Sequence, residues 1–356
     1  MPMSGHSIKP NTPKSAHTAF TELPVVDVSG LSSESRTDRQ KAARALDQAA
    51  RDAGFLYVTG HGIDPEVIAG LQQCACQYFT QDMAAKMTNY IGLSQNHSGY
   101  VPAGEERFYS SPNQVDKKEA YDIGFECTDP QKQKPMLGTN QWPDLPDFQE
   151  GVTAYYQQAM TLGEKLFRGF ALGLGLPEDT FTRHLHAPPN QLRLLHYPYD
   201  DSAVDTPGIG AHTDYEFFTI LLPTAPGLEV LNGAGQWIDA PFMEGALVIN
   251  IGDMIEVFTN GAYVATSHRV RKVAEERYSF PLFCSLDYDT LVQPHEVFCS
   301  DQHTSQYEPL VCGDHLYAQT IQTFTYLKKR LEKGEIMLPE GCRGLDSFGQ
   351  LSRVGH

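Results

Sequence analysis

Between residues 191 and 300 the chain is written in short apolar runs that leave no room for a long helix. LRLLHYP, FFTILLP, LEVL, QWIDA, ALVINIG, YVATSHRV and RYSFPLFC follow one another, most of them separated by Gly, Pro, Asn or Asp. Runs of this length, rich in β-branched and aromatic residues and punctuated at this spacing, specify an all-β sandwich or barrel. Helical patterns flank it. Residues 33–53 are rich in Ala, Arg and Gln and stop at Gly54, a residue suited to the left-handed position that ends a helix. Further helices are expected over 65–83, 148–174 and 177–185, and over 316–332, where Lys328, Lys329 and Arg330 precede Gly334. LPVVDV (23–28) and FLYVT (55–59) read as strands. Residues 90–145 hold several Gly and Pro and few clear periods, and read as a long loop region of the kind that often carries function. The expected fold class is therefore α+β, with a β core between N- and C-terminal helices. No linker separates the parts, so a single domain is expected: a leader (1–20), a helical and strand region (21–190), the β core (191–300) and a C-terminal helix and tail (301–356).

Composition narrows the function. Lys and Arg number 27 against 44 Asp and Glu, a formal charge of −17. A phosphate backbone or an anionic membrane surface would repel that balance, so no nucleic-acid or membrane partner is expected. No apolar run approaches the 18 residues of a membrane span. The first 19 residues are polar, hold three prolines and lack the apolar stretch of a signal peptide, so they read as a mobile leader on a cytoplasmic protein. The seven cysteines are odd in number and form no CxxC, which favours buried reduced thiols over disulfides or a zinc-thiolate site.

The sharpest motif is His212-Thr-Asp214 with His268 lying 54 residues beyond Asp214. On a strand, positions i and i+2 share a face, so an imidazole and a carboxylate would converge there, and His268 at the end of another run could close the site. Two histidines and one carboxylate on one face of an octahedron are the arrangement of non-haem Fe(II) oxygenases. An HxD tripeptide alone is weak among 13 histidines. The second anchor is Arg277-Tyr-Ser279, nine residues after His268, where a guanidinium fork and a hydroxyl on one strand face can grip a carboxylate.

With these motifs the chain resembles the 2-oxoglutarate- and Fe(II)-dependent oxygenases of the isopenicillin N synthase-like family, over about residues 23–327. The likeness lies in LPVVDVSG, AGFLYVTGHGI, LRLLHYP, GAHTDYEFFTILL, GLEVLNGAGQWIDAPF, INIGDMIEVFTNG, SHRV and RYS. RLLHYP and RYSFPLFC resemble thymine 7-hydroxylases, and GYVPAGEE resembles bacterial ethylene-forming enzymes. Plant members commonly carry Asn-x-Tyr where this chain has Leu195-His-Tyr197, so the Tyr is kept and any role of the Asn is lost. The resemblance implies a double-stranded β-helix (jelly roll), with His212, Asp214 and His268 as iron ligands. It implies Arg277 and Ser279 on the distal carboxylate of 2-oxoglutarate, assisted by Tyr197. It also implies Fe(II) as cofactor, 2-oxoglutarate and O2 as cosubstrates and ascorbate as a stimulant. The reaction would couple decarboxylation of 2-oxoglutarate to succinate and CO2 with oxidation, foremost hydroxylation, of a small metabolite such as a natural-product intermediate.

Other residues are candidates for substrate contact, each with a structural alternative. Arg193 lies four residues before Tyr197, where it either meets substrate or the proximal carboxylate or forms a structural ion pair, since a buried Arg is rare unless paired. Tyr215 either lines the pocket or packs. Phe283, four residues after Ser279, is either a stacking wall or core. Tyr100, Glu106 and Arg107 fall in the long loop region and are either functional or solvated. Three other functions compete: a 2-oxoglutarate-independent Fe(II) oxidase of the same fold, a zinc hydrolase on the same ligands, and a non-catalytic β-barrel binding module. A monomer or weak dimer is expected.

Overall fold

The computed structural model describes residues 15–106, 118–199, 207–271, 275–300, 302 and 304–340. The N-terminal half opens with strand β1 (Val25–Asp27), helix α1 (Arg36–Ala53) and β2 (Phe55–Thr59). Ser35 caps α1 by accepting the Asp38 amide, and Gly54 ends it at φ 66, where a side chain would be strained. Then come α2 (Pro65–Phe79), α3 (Met83–Met87), β3 (Gly99–Val101), β4 (Glu119–Gly124) and the long α4 (Phe148–Gly173). The β core follows as β5 (Gln191–Tyr197), β6 (Pro207–His212), β7 (Phe218–Pro223), β8 (Leu228–Leu231), β9 (Trp237–Ala240) and β10 (Leu247–Ile251). Helix α5 (Asp253–Phe258) leads to β11 (His268–Arg271) and β12 (Arg277–Cys284). A small hairpin, β13 (Leu291–Val292) with β14 (Leu310–Val311), precedes α6 (Cys312–Thr323) and α7 (Thr325–Glu332).

Two sheets make the jelly roll. The larger has the order β1-β2-β10-β7-β12-β5-β4-β3 and the smaller β6-β11-β8-β9. Side chains alternate across each strand, so one face of the large sheet lines the space between the sheets and the other packs on helices. On β5 the inner set is Gln191, Arg193, Leu195 and Tyr197, and on β12 it is Arg277, Ser279, Pro281 and Phe283. The outer set, including Leu192, Leu194, Phe280 and Leu282, joins the main core with Leu46 of α1, Leu71 of α2 and Phe167 of α4. Each such buried side chain contributes about 1.5–3 kcal/mol through loss of apolar surface to water.

Three expectations need correction. Residues 90–145 are not one loop: β3 and β4 extend the large sheet, and β4 pairs with β5 so that Asp122 lies opposite Arg193. The C-terminal helix is two helices, broken at Phe324, whose backbone is extended (φ −94, ψ 128). The run around 263–270 is a strand only from His268 onward. Most of the expected leader lies outside the described residues, as do Arg107 and Cys342. Of the leader, Ala16 is buried and its amide donates to Leu231 O.

Candidate functional site

The space between the sheets is one cavity that both sheets line. His212 closes β6, and His268 opens β11 directly opposite it in the antiparallel pairing. Asp214 lies two residues past His212, beyond the end of the strand, so simple strand alternation does not place its carboxylate. Hydrogen bonds place it instead. Thr219 Oγ1 of β7 and Asn250 Nδ2 of β10 (2.7 Å) both donate to Asp214 Oδ2. The backbone is held too: Asp253 N donates to Asp214 O at 2.9 Å and Gly252 N to Phe217 O at 2.9 Å. Gly252 is required here, because a Cβ would stand 2.2 Å from Glu216 O.

The other carboxylate oxygen, Oδ1, is left facing His212 Nε2 at 3.7 Å and His268 Nε2 at 3.6 Å. His212 Nδ1 bonds Gly210 O at 2.8 Å, which orients Nε2 toward the cluster, as an outer partner does for a metal-binding imidazole. One ligand atom from each of the three side chains lies within 4.8 Å of the others, a group able to hold one metal ion. Burial, and after it the neighbouring His268, lowers the His212 pKa to about 4, so the ring is neutral and its lone pair available. Burial opposes ionisation of Asp214, but His268, His212 and the two hydrogen bonds outweigh it and hold the carboxyl below its usual value. Hard carboxylate plus two imidazoles suits Fe(II).

A cation lines the same cavity from the large sheet. Arg277 is 1% exposed, opposite Tyr197 in the β12–β5 register, with its guanidinium 4.8 Å from that ring's centroid. Its Nε donates to Ala225 O at 3.3 Å, and its Nη1 has no hydrogen-bond partner among the described residues. A buried guanidinium without a carboxylate partner suits an acidic ligand. Ser279 lies two residues on, buried, on the same cavity face.

The remaining candidates divide. Tyr215 and Phe283 line the cavity. Arg193 and Glu106 line it as well, but bound to each other: Arg193 Nη1 donates to Glu106 Oε1 at 2.8 Å. The ion-pair alternative for Arg193 is thus the one realised. Tyr100 is a correction: it is fully buried against Tyr78, its phenol donates to Glu119, and it does not reach the cavity. Sequence reasoning missed Thr219 and Asn250, although each is a lone polar residue inside an apolar strand, which demands a partner. It also missed Glu216, buried on the cavity wall, whose carboxyl burial and then the Asp214 charge push up to about 8.

Residues 189–286 match the family model of the 2OG-Fe(II) oxygenase superfamily, and residues 23–145 match the model described as non-haem dioxygenase in morphine synthesis N-terminal. The homoarginine-6-hydroxylase 2-ODD-233 of Oryza sativa subsp. japonica is 33% identical over 86% of this chain and 98% of its own. The chain belongs to the 2-oxoglutarate/Fe(II) oxygenases. The 2-oxoglutarate-Fe(II) type oxidoreductase ppzC of Metarhizium majus is 32% identical over 83% of this chain and 85% of its own. A full-length Neurospora crassa protein, solved in complex with alpha-KG and thymine, superposes with a TM-score of 0.74 at 25% identity, covering 86% of this chain and 98% of that one. Like its family, this oxygenase is an enzyme that uses Fe(II), 2-oxoglutarate and O2, and the jelly roll expected from its sequence is the fold of its structural neighbours. No helix among its described residues is long and apolar enough to cross a membrane.

Proposed function

We propose that His212, Asp214 and His268 ligate the Fe(II) of this oxygenase. Arg277 holds the distal carboxylate of 2-oxoglutarate, with Ser279 beside it and Tyr197 against the guanidinium face. When bound, the iron and 2-oxoglutarate supply O2 activation, in which 2-oxoglutarate is converted to succinate and CO2 and the substrate is oxidised. The protein does the positioning. Thr219 and Asn250 reserve Asp214 Oδ2, so Oδ1 alone is offered to metal. Apolar walls such as Leu221, Val270 and Phe283 keep water from the reacting centre.

One conjunction carries this reading: two imidazoles with a carboxylate, and a buried arginine with no acidic partner among the described residues, on the walls of a single cavity. The substrate is a small metabolite, oxidised foremost by hydroxylation, because the site is a concave pocket between two sheets, lined mostly by apolar side chains with a few convergent polar groups, as small-molecule sites are. The names of the relatives point the same way, homoarginine for the rice hydroxylase and thymine for the Neurospora structure. The test is metal stoichiometry and 2-oxoglutarate binding in the purified enzyme. Asp214→Ala should lose the iron, and Arg277→Ala should retain iron but lose 2-oxoglutarate affinity. An Asp214→Ala enzyme that keeps iron and turnover would refute the ligand set.

A further inference from the structure

A second polar group lines the same cavity, and neither the proposed iron site nor the 2-oxoglutarate site uses it. Arg193 grips Asp122 with two nitrogens, Nε to Oδ1 at 2.8 Å and Nη2 to Oδ2 at 2.9 Å. Its Nη1 donates to Glu106 Oε1, and Lys118 Nζ donates to Glu106 Oε2 at 2.6 Å. Two cations and two anions cancel, and every carboxylate oxygen in the set is engaged. Beside them stands His97, held in the left-handed region at φ 62. Its ring stacks on Tyr326 and meets Phe324 edge-on at 4.4 Å. Nδ1 lies 2.6 Å from the Tyr326 phenol oxygen. Nε2 is buried and has no hydrogen-bond partner among the described residues; Asp122 Oδ2, at 3.9 Å, is beyond bonding range.

The tautomer follows from these contacts. The Tyr326 phenol has one proton, and no other acceptor for it among the described residues, so it donates to Nδ1. The ring proton then sits on Nε2, where the Asp122 carboxylate also favours it. Burial, and next the Arg193 charge, lowers the His97 pKa to about 3, so the ring is a neutral donor. A buried donor without an acceptor is unfavourable until one arrives.

We propose that the Nε2–H of His97 selects the substrate through an uncharged acceptor, the carbonyl of an amide, imide or lactam. This rests on the proposed function, which makes the cavity the substrate site. An ammonium or guanidinium head would meet an N–H, and carboxylates already taken by Arg193 and Lys118. A carboxylate head would add negative charge beside Glu106 and Asp122. A neutral carbonyl satisfies His97 and disturbs neither balance.

The test uses the full chain loaded with Zn(II) as a diamagnetic metal and saturated with 2-oxoglutarate. Hexanamide, hexanoate and hexylamine serve as compounds alike except for the head group. Long-range 1H–15N spectra of the histidine rings should show His97 as the Nε2–H tautomer, the signal being assigned by its loss in His97→Asn, a residue tolerant of left-handed backbone. Tyr326→Phe, which leaves the cavity lining intact, should shift that ring toward the Nδ1–H form. Hexanamide should bind at least tenfold tighter than the charged pair and move the Nε2 signal, and His97→Asn should erase that preference with 2-oxoglutarate affinity unchanged. An Nδ1–H tautomer in the wild type, tighter binding of hexylamine or hexanoate, an Nε2 signal that none of the compounds moves, or a preference that survives His97→Asn would each overturn the assignment. If the wild type fails to bind 2-oxoglutarate in the same samples, it is the underlying reading that falls.

Discussion

His212 and His268 face each other across the β6–β11 pairing with ring centroids 4.3 Å apart, and both present Nε2 to the same oxygen of Asp214. Antiparallel register brings two residues 56 positions apart into contact, while the third member is held by side chains from β7 and β10. The site is therefore distributed over both sheets of the jelly roll, and its geometry depends on residues that would never touch a metal.

The first consequence concerns Asn250. Its amide fixes Asp214 Oδ2, so Asn250→Ala frees the carboxylate to rotate. Losing such an outer partner typically costs about 10–100-fold in metal affinity. Competition against a chelator should show a drop of that size in a chain that still folds. An unchanged affinity would mean that Thr219 alone suffices to orient the carboxylate.

The second concerns Arg277. Removing one partner of a buried charge pair costs about 3–5 kcal/mol. At about 1.4 kcal/mol per tenfold, Arg277→Ala should raise the apparent constant for 2-oxoglutarate by two or more orders of magnitude. Succinate release as a function of 2-oxoglutarate concentration measures it. A constant that does not move would place 2-oxoglutarate elsewhere in the cavity.

How far the sequence carries the reader varies by element. The β core was legible because its strands alternate apolar runs with turn residues, and the Arg277/Ser279 pair because a period of two survives folding. The HxD motif was legible as chemistry but not as geometry, since Asp214 leaves the strand. Strand β4 was hidden for a physical reason. Its Glu119 and Asp122 point to partners that exist only in the fold, Lys86 and His196 for the one and Arg193 for the other. Strand propensity counts such residues against a strand, and tertiary pairing overrides it. Tyr100 was misplaced for the same reason: without β4 there was no sheet for it to enter. His97 gave no signal in the sequence, because its significance lies in the one ring nitrogen left over after Tyr326 takes the other.

A third prediction follows from the buried carboxylate of Glu106. Burial opposes its ionisation, but Arg193 and Lys118 outweigh that and hold its pKa well below the usual 4.5. A carboxyl with a depressed folded-state pKa contributes stability that is complete above its unfolded value and is lost as pH falls below it. Unfolding by denaturant at a series of pH values should show wild-type stability falling below about pH 4.5. Glu106→Gln should be less stable at neutral pH, because Arg193 and Lys118 lose a charged partner, and should show a shallower acid slope. Equal slopes would mean that the acid response comes from other carboxylates.

The last prediction tests the cavity wall beside the support of Asp214, where Phe283 of β12 pairs directly with Thr219 of β7. Phe283 projects from β12 on the same face as Arg277 and Ser279, is only partly buried, and lines the cavity, whereas its neighbours Leu282 and Cys284 face the core. A partly exposed aromatic ring on a cavity wall is packing surface for a ligand rather than for the fold. Phe283→Ala should weaken substrate binding by roughly 1–3 kcal/mol. It should leave 2-oxoglutarate affinity nearly unchanged, because the charged grip is proposed for Arg277, six residues away on the strand. Substrate and 2-oxoglutarate constants measured on the same preparations separate the two effects. If both shift together, the ring supports the β12 backbone and the substrate wall must be sought on α6, where Leu316 and Thr320 also face the cavity.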